Sequence, residues 1–401
     1  MKIDLFTSNQ HLKITLSIIY SFCFLNLKSQ VYPSFGSEIN VTIIGLSFDA
    51  MEPFISADGT ILFFNNLNDG VDTKLFYATR VNDTTFNFIG EVVGANQIAN
   101  PQLDAVADMD ENNQFYWTST RNYPAELDNL FYGTYANGII SDSGRVRGNF
   151  NLNTPGWLVM DHGISKDGQY LYYNNARFDD VNCQGPCETS IGVAGKINDS
   201  TFNTISNSTW ILQNINNPNY IYYAPCISSD NLEFYYTRYL AGTITLATTF
   251  EICVAIRNSP SDSFSAPQVL FSDLITNLIE APTLTQNKIN MYYHKKGTSS
   301  HDIKLRHRLS SIGFKDNKEN QAELLVYPNP MNNEVIISYR RDINQKFTLN
   351  LLDNTGRVIR FYDSLNEGHL TLSRDNLSKG IYYIQVCSNS QVLATRKLII
   401  Q

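Results

Sequence analysis

The stretch "MEPFISADGTILFFNN", residues 51–66, reads as two short strands joined at Asp58-Gly59, the second carrying an aromatic pair, Phe63-Phe64. Asp-Gly between apolar runs is a tight-turn signal. The pattern returns four times, as "VADMDENNQFYW" (106–117), "GISKDGQYLYY" (163–173), "CISSDNLEFYY" (226–236) and "TLTQNKINMYY" (283–293). The matching pairs are Tyr116-Trp117, Tyr172-Tyr173, Tyr235-Tyr236 and Tyr292-Tyr293, and successive pairs lie 53 to 63 residues apart. After each pair an acid precedes a short apolar strand: Asp72, Asp128, Glu188, Glu251 and Asp302. Even the next turn recurs, as "NDTTFN" and "NDSTFN".

Copies of about four short strands at such a period cannot bury their apolar faces singly and must stack around an axis. The sequence therefore predicts an all-β protein with a five-bladed β-propeller over residues 38–308. Six blades is the alternative, because the ends of the repeat are ragged. The strand "NVTIIG", residues 40–45, is expected to supply the outer strand of the last blade and close the ring.

The copies resemble TolB-type, WD-repeat-like propellers. The residues that carry this are "EPFISADGTILFF" (52–64), "SKDGQYLYYNNAR" (165–177), "TSTR" (118–121) and "DNLFY" (128–132). The fifth copy departs most: Asn287-Lys288 replaces Asp-Gly, and Lys295-Lys296 stands where the third copy has Arg177. The resemblance implies a fold and no single activity.

Composition excludes some functions. The chain has 401 residues, 43% hydrophobic, and a net charge of −8. That charge argues against nucleic-acid binding and against docking on an anionic membrane. Lys2 and Lys13 precede the apolar run "ITLSIIYSFCFLNL" (14–27), too short for a comfortable membrane span, so residues 1–29 read as a signal peptide cut near Ser29 or Gln30. An N-terminal anchor is the alternative. Cys183, Cys187, Cys226, Cys253 and Cys387 remain after cleavage, an odd number. Cys183 and Cys187 flank "QGP" and are disulfide candidates; an unbridged pair or a metal site ranks below that, since no further ligands stand nearby. No metal site is predicted. The cofactor stays unknown, with a structural cation at most.

Residues 309–323 are polar and aperiodic, a linker. Residues 324–401 alternate as short strands between turns, a small β-sandwich. This tail resembles the C-terminal sorting domain of the type IX (Por) secretion system of Bacteroidetes. The carriers are Tyr327-Pro328-Asn329-Pro330, "LLDNTGRVI" with Gly356, "LSKGIYYIQV" with Gly380 and Tyr382, and Lys397. The resemblance implies the type IX machinery as a partner, export through the periplasm, and release or attachment at the cell surface.

The chain shows no GxSxG elbow, HExxH, Walker loop or EF-hand loop. Asp161-His162 is weighed as a catalytic pair, but neighbours on a strand point to opposite faces, so a structural or pore-lining histidine is favoured. Glu52, before Pro53, is expected to open the inner strand of the first blade. Alignment on Asp58, Asp110 and Asp167 makes Asp104 and Asp161 its equivalents, with Ala224 and Ala281 in the last two blades and Glu280 one step away. These acids are expected around one pore mouth, with Asp72, Asp128, Glu188, Glu251 and Asp302 as an outer set on the same face. Two functions follow: a secreted or surface propeller that binds a glycan, peptide or protein on its acidic mouth, or a glycan-active enzyme with carboxylates at the pore.

Overall fold

The computed structural model describes residues 31–97, 101–298, 300–309, 323–340, 347–365, 369–388 and 391–401. The expected signal peptide and nearly all of the linker lie outside these residues. Two compact units divide the chain, Met1–Ser311 and Ile312–Gln401. Among the described residues the regular structure of both is almost wholly β-strand.

The first unit holds five mainly antiparallel sheets in chain order. Their first strands, innermost in each, are Met51–Ile55, Gln102–Met109, Trp157–Ile164, Tyr220–Ile227 and Ile279–Leu284. Each of these packs against the next, and the fifth packs against the first. The fifth sheet has only three strands of its own, and Ile39–Asn40 pairs with His301–His307 to complete it. The expected closing strand is in fact divided. Thr42–Ile44, just beyond, leaves the fifth sheet and runs parallel to Thr85–Glu91 on the first.

The repeated aromatic pairs explain this arrangement. Adjacent residues on a strand face opposite sides of the sheet, so each pair gives one ring to each neighbouring sheet. Phe63 joins Phe115 and Trp117 of the second sheet, while Phe64 packs with Tyr292 and Leu305 of the fifth. Tyr116 and Tyr173 meet in the core between sheets two and three, Tyr172 and Tyr236 between three and four, and Tyr235 and Tyr293 between four and five. All ten residues are buried. At roughly 1.5–3 kcal/mol per buried large apolar side chain, these pairs dominate the packing between sheets.

The turns repeat in detail. Ser56 Oγ donates to Asp58 at 2.6 Å and accepts from the Ile61 N–H; Ser165 with Asp167 and Ser228 with Asp230 do the same. In the second sheet Asp110 does both jobs, accepting from the Asn112 and Gln114 N–H groups. Asp110 therefore stands where the other copies have serine, and the turn is one residue shorter.

The second unit has a three-stranded sheet, Glu323–Tyr327, Glu334–Arg340 and His369–Ser373, and a four-stranded sheet in the order Val358–Leu365, Phe347–Leu352, Gly380–Ser388, Gln391–Ile400. One core, including Leu324, Ile337, Leu351, Ile384 and Leu398, lies between them.

Candidate functional site

The inner strands carry a repeated irregularity. In sheets one, two, four and five the pairing slips by one residue at Glu52-Pro53, Val106-Ala107, Ala224-Pro225 and Ala281-Pro282. The first residue of each bulge has a left-handed backbone, with φ of 49°, 56°, 49° and 56°. That costs a non-glycine residue about 1–2 kcal/mol. Proline fits the second place because a bulge residue owes no hydrogen bond to the ladder. Glu52 thus does not open the strand, as expected from sequence; it lies within it, on a bulge.

What holds the bulges comes from the neighbouring sheet. The residue directly after each aromatic pair is polar: Asn65, Thr118, Asn174, Thr237 and His294. Asn65 Oδ1 accepts the Val106 N–H, Thr237 Oγ1 accepts the Ala281 N–H, and His294 Nδ1 accepts the Glu52 N–H at 3.0 Å. Sequence reasoning missed this set, although a polar residue after every aromatic pair was a visible signal.

The bulge register corrects the alignment of the second copy. Val106, not Asp104, corresponds to Glu52. Asp104 is wholly buried, ion-paired to Arg121 at 2.9 Å and accepting the Gln97 N–H at 2.7 Å, so it is a neutralised structural acid outside the channel lining. Asp161, Ala224 and Ala281 are where the alignment put them. The outer acids are largely spent on ion pairs: Asp128 with Arg147, Glu188 with Arg177, Glu251 with Arg238 at 2.7 Å, and Asp72 with Lys74 at 3.4 Å. Asp302 lies 3.8 Å from Lys304.

The inner strands enclose an axial cavity of about 90 Å³, lined from Glu52 and Asp161 to Lys166, Ser229 and Gln286. Its lower end is tied together by polar bonds: Gln286 reaches from the Ala57 carbonyl to the Lys166 ammonium, and Ser229 Oγ donates to the Gln286 carbonyl. At the upper end Glu52 and Asp161 line the cavity, and Glu280, behind the lining, is close enough to act on both. Glu280 accepts from His294 Nε2 at 2.8 Å and from the Tyr223 hydroxyl. Because His294 Nδ1 accepts the Glu52 N–H, the network assigns its proton to Nε2. The Ala224 N–H lies beside Asp161, the Asn65 side chain lies beside Glu52, and Glu52 Oε1 accepts from Asn68 at 3.3 Å. Glu52 Oε2 and Asp161 Oδ2 are buried without any partner.

The environments separate these acids. Burial, with Asp161 and Glu280 nearby, pushes Glu52 well above the usual carboxyl range. Burial and Glu280 push Asp161 up to about 7. Burial would raise Glu280 too, but the hydrogen bonds donated by His294 and Tyr223 outweigh it and hold the group below its usual value. Deeper in the channel, burial raises Asp108 to about 8, where it accepts the Ile164 N–H of the next sheet. His162 also lines the cavity, so it and Asp161 are not parted by the strand as expected. It is 3% exposed, lowered by burial to about 3, and neither ring nitrogen has a well-formed bond. Cys183 and Cys187 form a disulfide away from this cavity. Among the described residues no group of His, Cys, Asp and Glu is arranged to hold a metal ion. None of the described helices is long and apolar enough to cross a membrane.

Residues 325–401 match the family model of the secretion system C-terminal sorting domain, which indicates export to the cell surface or beyond. No curated protein matches the chain. The chain is similar to a solved thermostable family-43 glycoside hydrolase at 12% identity, over 69% of this chain and 93% of that one, with a TM-score of 0.44. It is also similar to a luciferin-regenerating enzyme at 10% identity, over 77% and 88%, TM-score 0.37. A third is the α-L-arabinofuranosidase of Podospora anserina, solved in complex with cellotriose: 11% identity, 69% and 96%, TM-score 0.42.

Proposed function

We propose that this is an exported five-bladed propeller that binds an extracellular ligand, a glycan, peptide or protein, at the mouth of its axial channel. The sorting tail delivers it through the type IX machinery, and Glu52, Asp161 and Glu280 form the binding mouth. One observation carries the reading. Two carboxylate oxygens, Glu52 Oε2 and Asp161 Oδ2, are buried at one opening with no partner in the fold. A buried acceptor without a donor costs about 1–3 kcal/mol, and a ligand that supplies donors recovers it. The cavity of about 90 Å³ is well below the roughly 300 Å³ at which ligand pockets begin, so the ligand rests on the rim and inserts a single group. Purified protein is to be screened against a panel of polysaccharides and peptides, comparing the parent with Glu52→Gln and Asp161→Asn. Binding that both substitutions weaken supports the reading. Binding indifferent to both would move the site elsewhere.

A second reading, glycoside hydrolysis, is favoured by the opposed environments of Glu52, whose carboxyl burial pushes well above its usual range, and Glu280, held below its own. Such a split assigns an acid and a base to a carboxyl pair. Sugar released from the same panel, abolished by Glu280→Gln, would select it.

A further inference from the structure

Three acceptors left open by the fold line the same small cavity. They are Glu52 Oε2, Asp161 Oδ2 and a ring nitrogen of His162. Neither ring nitrogen of His162 has a hydrogen-bond partner, and a neutral imidazole leaves one of the two as an acceptor. Asp161 and His162 are 2% and 3% exposed, so water reaches neither freely. No lysine or arginine pairs with Glu52, Asp161 or Glu280; the nearest lining cation, Lys166, sits at the other end and bonds Glu111 at 3.2 Å. His294 supplies one N–H to Glu280, but its Nδ1 is occupied by the Glu52 backbone and turns no donor toward the open oxygens.

We infer that the channel mouth takes a primary alkylammonium group: a compact cation whose three N–H donors meet Glu52 Oε2, Asp161 Oδ2 and the free nitrogen of His162. This rests on the binding reading above and names the chemistry of the inserted group. The donor count matches the open acceptors one for one. Charge-assisted bonds of this type are about twice as strong as neutral ones. The size fits as well, because a cavity of about 90 Å³ has room for several water-sized groups, enough for an ammonium and part of its stem, while lying well below the roughly 300 Å³ of a full ligand pocket. Ile55, Ile164 and Leu284 lie along the walls beside the more polar Asp108 and Thr283 and offer an apolar strip to a short unbranched carbon stem. A preorganised divalent-metal cage is not what the described side chains form.

The test titrates the mature full chain by calorimetry, at constant ionic strength, with n-butylammonium, tetramethylammonium and potassium chlorides. Butylammonium should bind at least about tenfold more tightly than tetramethylammonium, which has the charge but no N–H, and more tightly than potassium. Glu52→Gln and Asp161→Asn, near-isosteric changes, should each weaken it about tenfold or more, and His162→Phe should weaken it less. Equal binding of all three cations would reduce the mouth to an unselective charge site and overturn the inference. So would butylammonium affinity unchanged in Glu52→Gln, the partly exposed position least able to disturb folding. If a panel ligand binds through Glu52 and Asp161 while butylammonium does not, the ammonium assignment falls and the binding mouth stands. If neither responds to these substitutions, both fall.

Discussion

The backbone N–H of Glu52 donates to Nδ1 of His294 at 3.0 Å, across the junction where the first sheet meets the fifth. The same ring donates to Glu280 at 2.8 Å. One buried side chain thus holds a strained backbone residue of one sheet and a site carboxylate of another. His294→Ala leaves the Glu52 N–H unpaired and Glu280 with the Tyr223 hydroxyl alone, and should cost about 2–5 kcal/mol. Thr237→Val removes a single equivalent bond, to the Ala281 N–H, and should cost about 1–3 kcal/mol. Urea denaturation of both variants tests the order; a threonine loss equal to or greater than the histidine loss would contradict it.

Asp161 makes stability depend on pH with a defined sign. Its carboxyl is pushed up to about 7 in the fold, against 3.8 ordinarily. Between these values the unfolded chain has released the proton and the folded chain keeps it. Stability therefore falls as pH rises through this window and levels off above it. Asp161→Asn removes the group. It should stabilise the protein by on the order of 2–4 kcal/mol at pH 8 and give little gain at pH 4. Asp108 acts with the same sign, so the quantity to measure is the variant-minus-parent difference in urea midpoint at each pH.

Glu233 is the centre of a second charged network, between sheets four and five. Arg308 grips its two oxygens at 2.7 and 3.0 Å, Lys288 lies at 3.0 Å and the Tyr235 hydroxyl donates at 2.7 Å. Removing one side of a buried ion pair strands the other, so Glu233→Ala should cost about 3–5 kcal/mol. Restoring the loss by the further change Arg308→Met would attribute it to the stranded charge. No recovery would attribute it to lost packing.

The repeat was legible because its signal is physical: an adjacent aromatic pair buries a ring against each neighbour, so every copy must keep it. The same alignment placed Glu52, Asp161 and Ala281 at equivalent points of their inner strands, with Glu280 one residue before Ala281. Asp104 was misplaced because one aspartate, Asp110, replaces a serine-aspartate turn and shortens it, and spacing cannot reveal which residue of the turn was lost. Tyr223 and His294 escaped notice because their roles are contacts between sheets. Glu52 and His294 are 242 positions apart, and only closing the ring makes them neighbours.

The tail predicts an effect of its own. Asn329, in the Tyr327–Pro330 motif, reaches the last strand of the chain: its Nδ2 donates to the Lys397 carbonyl at 2.7 Å and its Oδ1 accepts the Ile399 N–H at 2.9 Å. Met331 adds two backbone bonds, to the Ile399 carbonyl and from the Gln401 N–H. Gln391–Ile400 is an edge strand, and these contacts cover part of its open side. An uncovered edge is a template for pairing with other chains. This gives a physical reason for a motif at the start of the domain to accompany a fixed strand at its end. Deleting residues 324–401 should leave a folded propeller in the periplasm. Asn329→Ala should keep the chain exportable in principle but loosen the last strand by about 1–3 kcal/mol and lower the exported fraction. Amide exchange at Ile399 and the ratio of surface-plus-medium protein to periplasmic protein would measure both effects. Faster exchange with unchanged export would separate edge protection from delivery, and normal export of the truncated chain would remove the tail's role as an address.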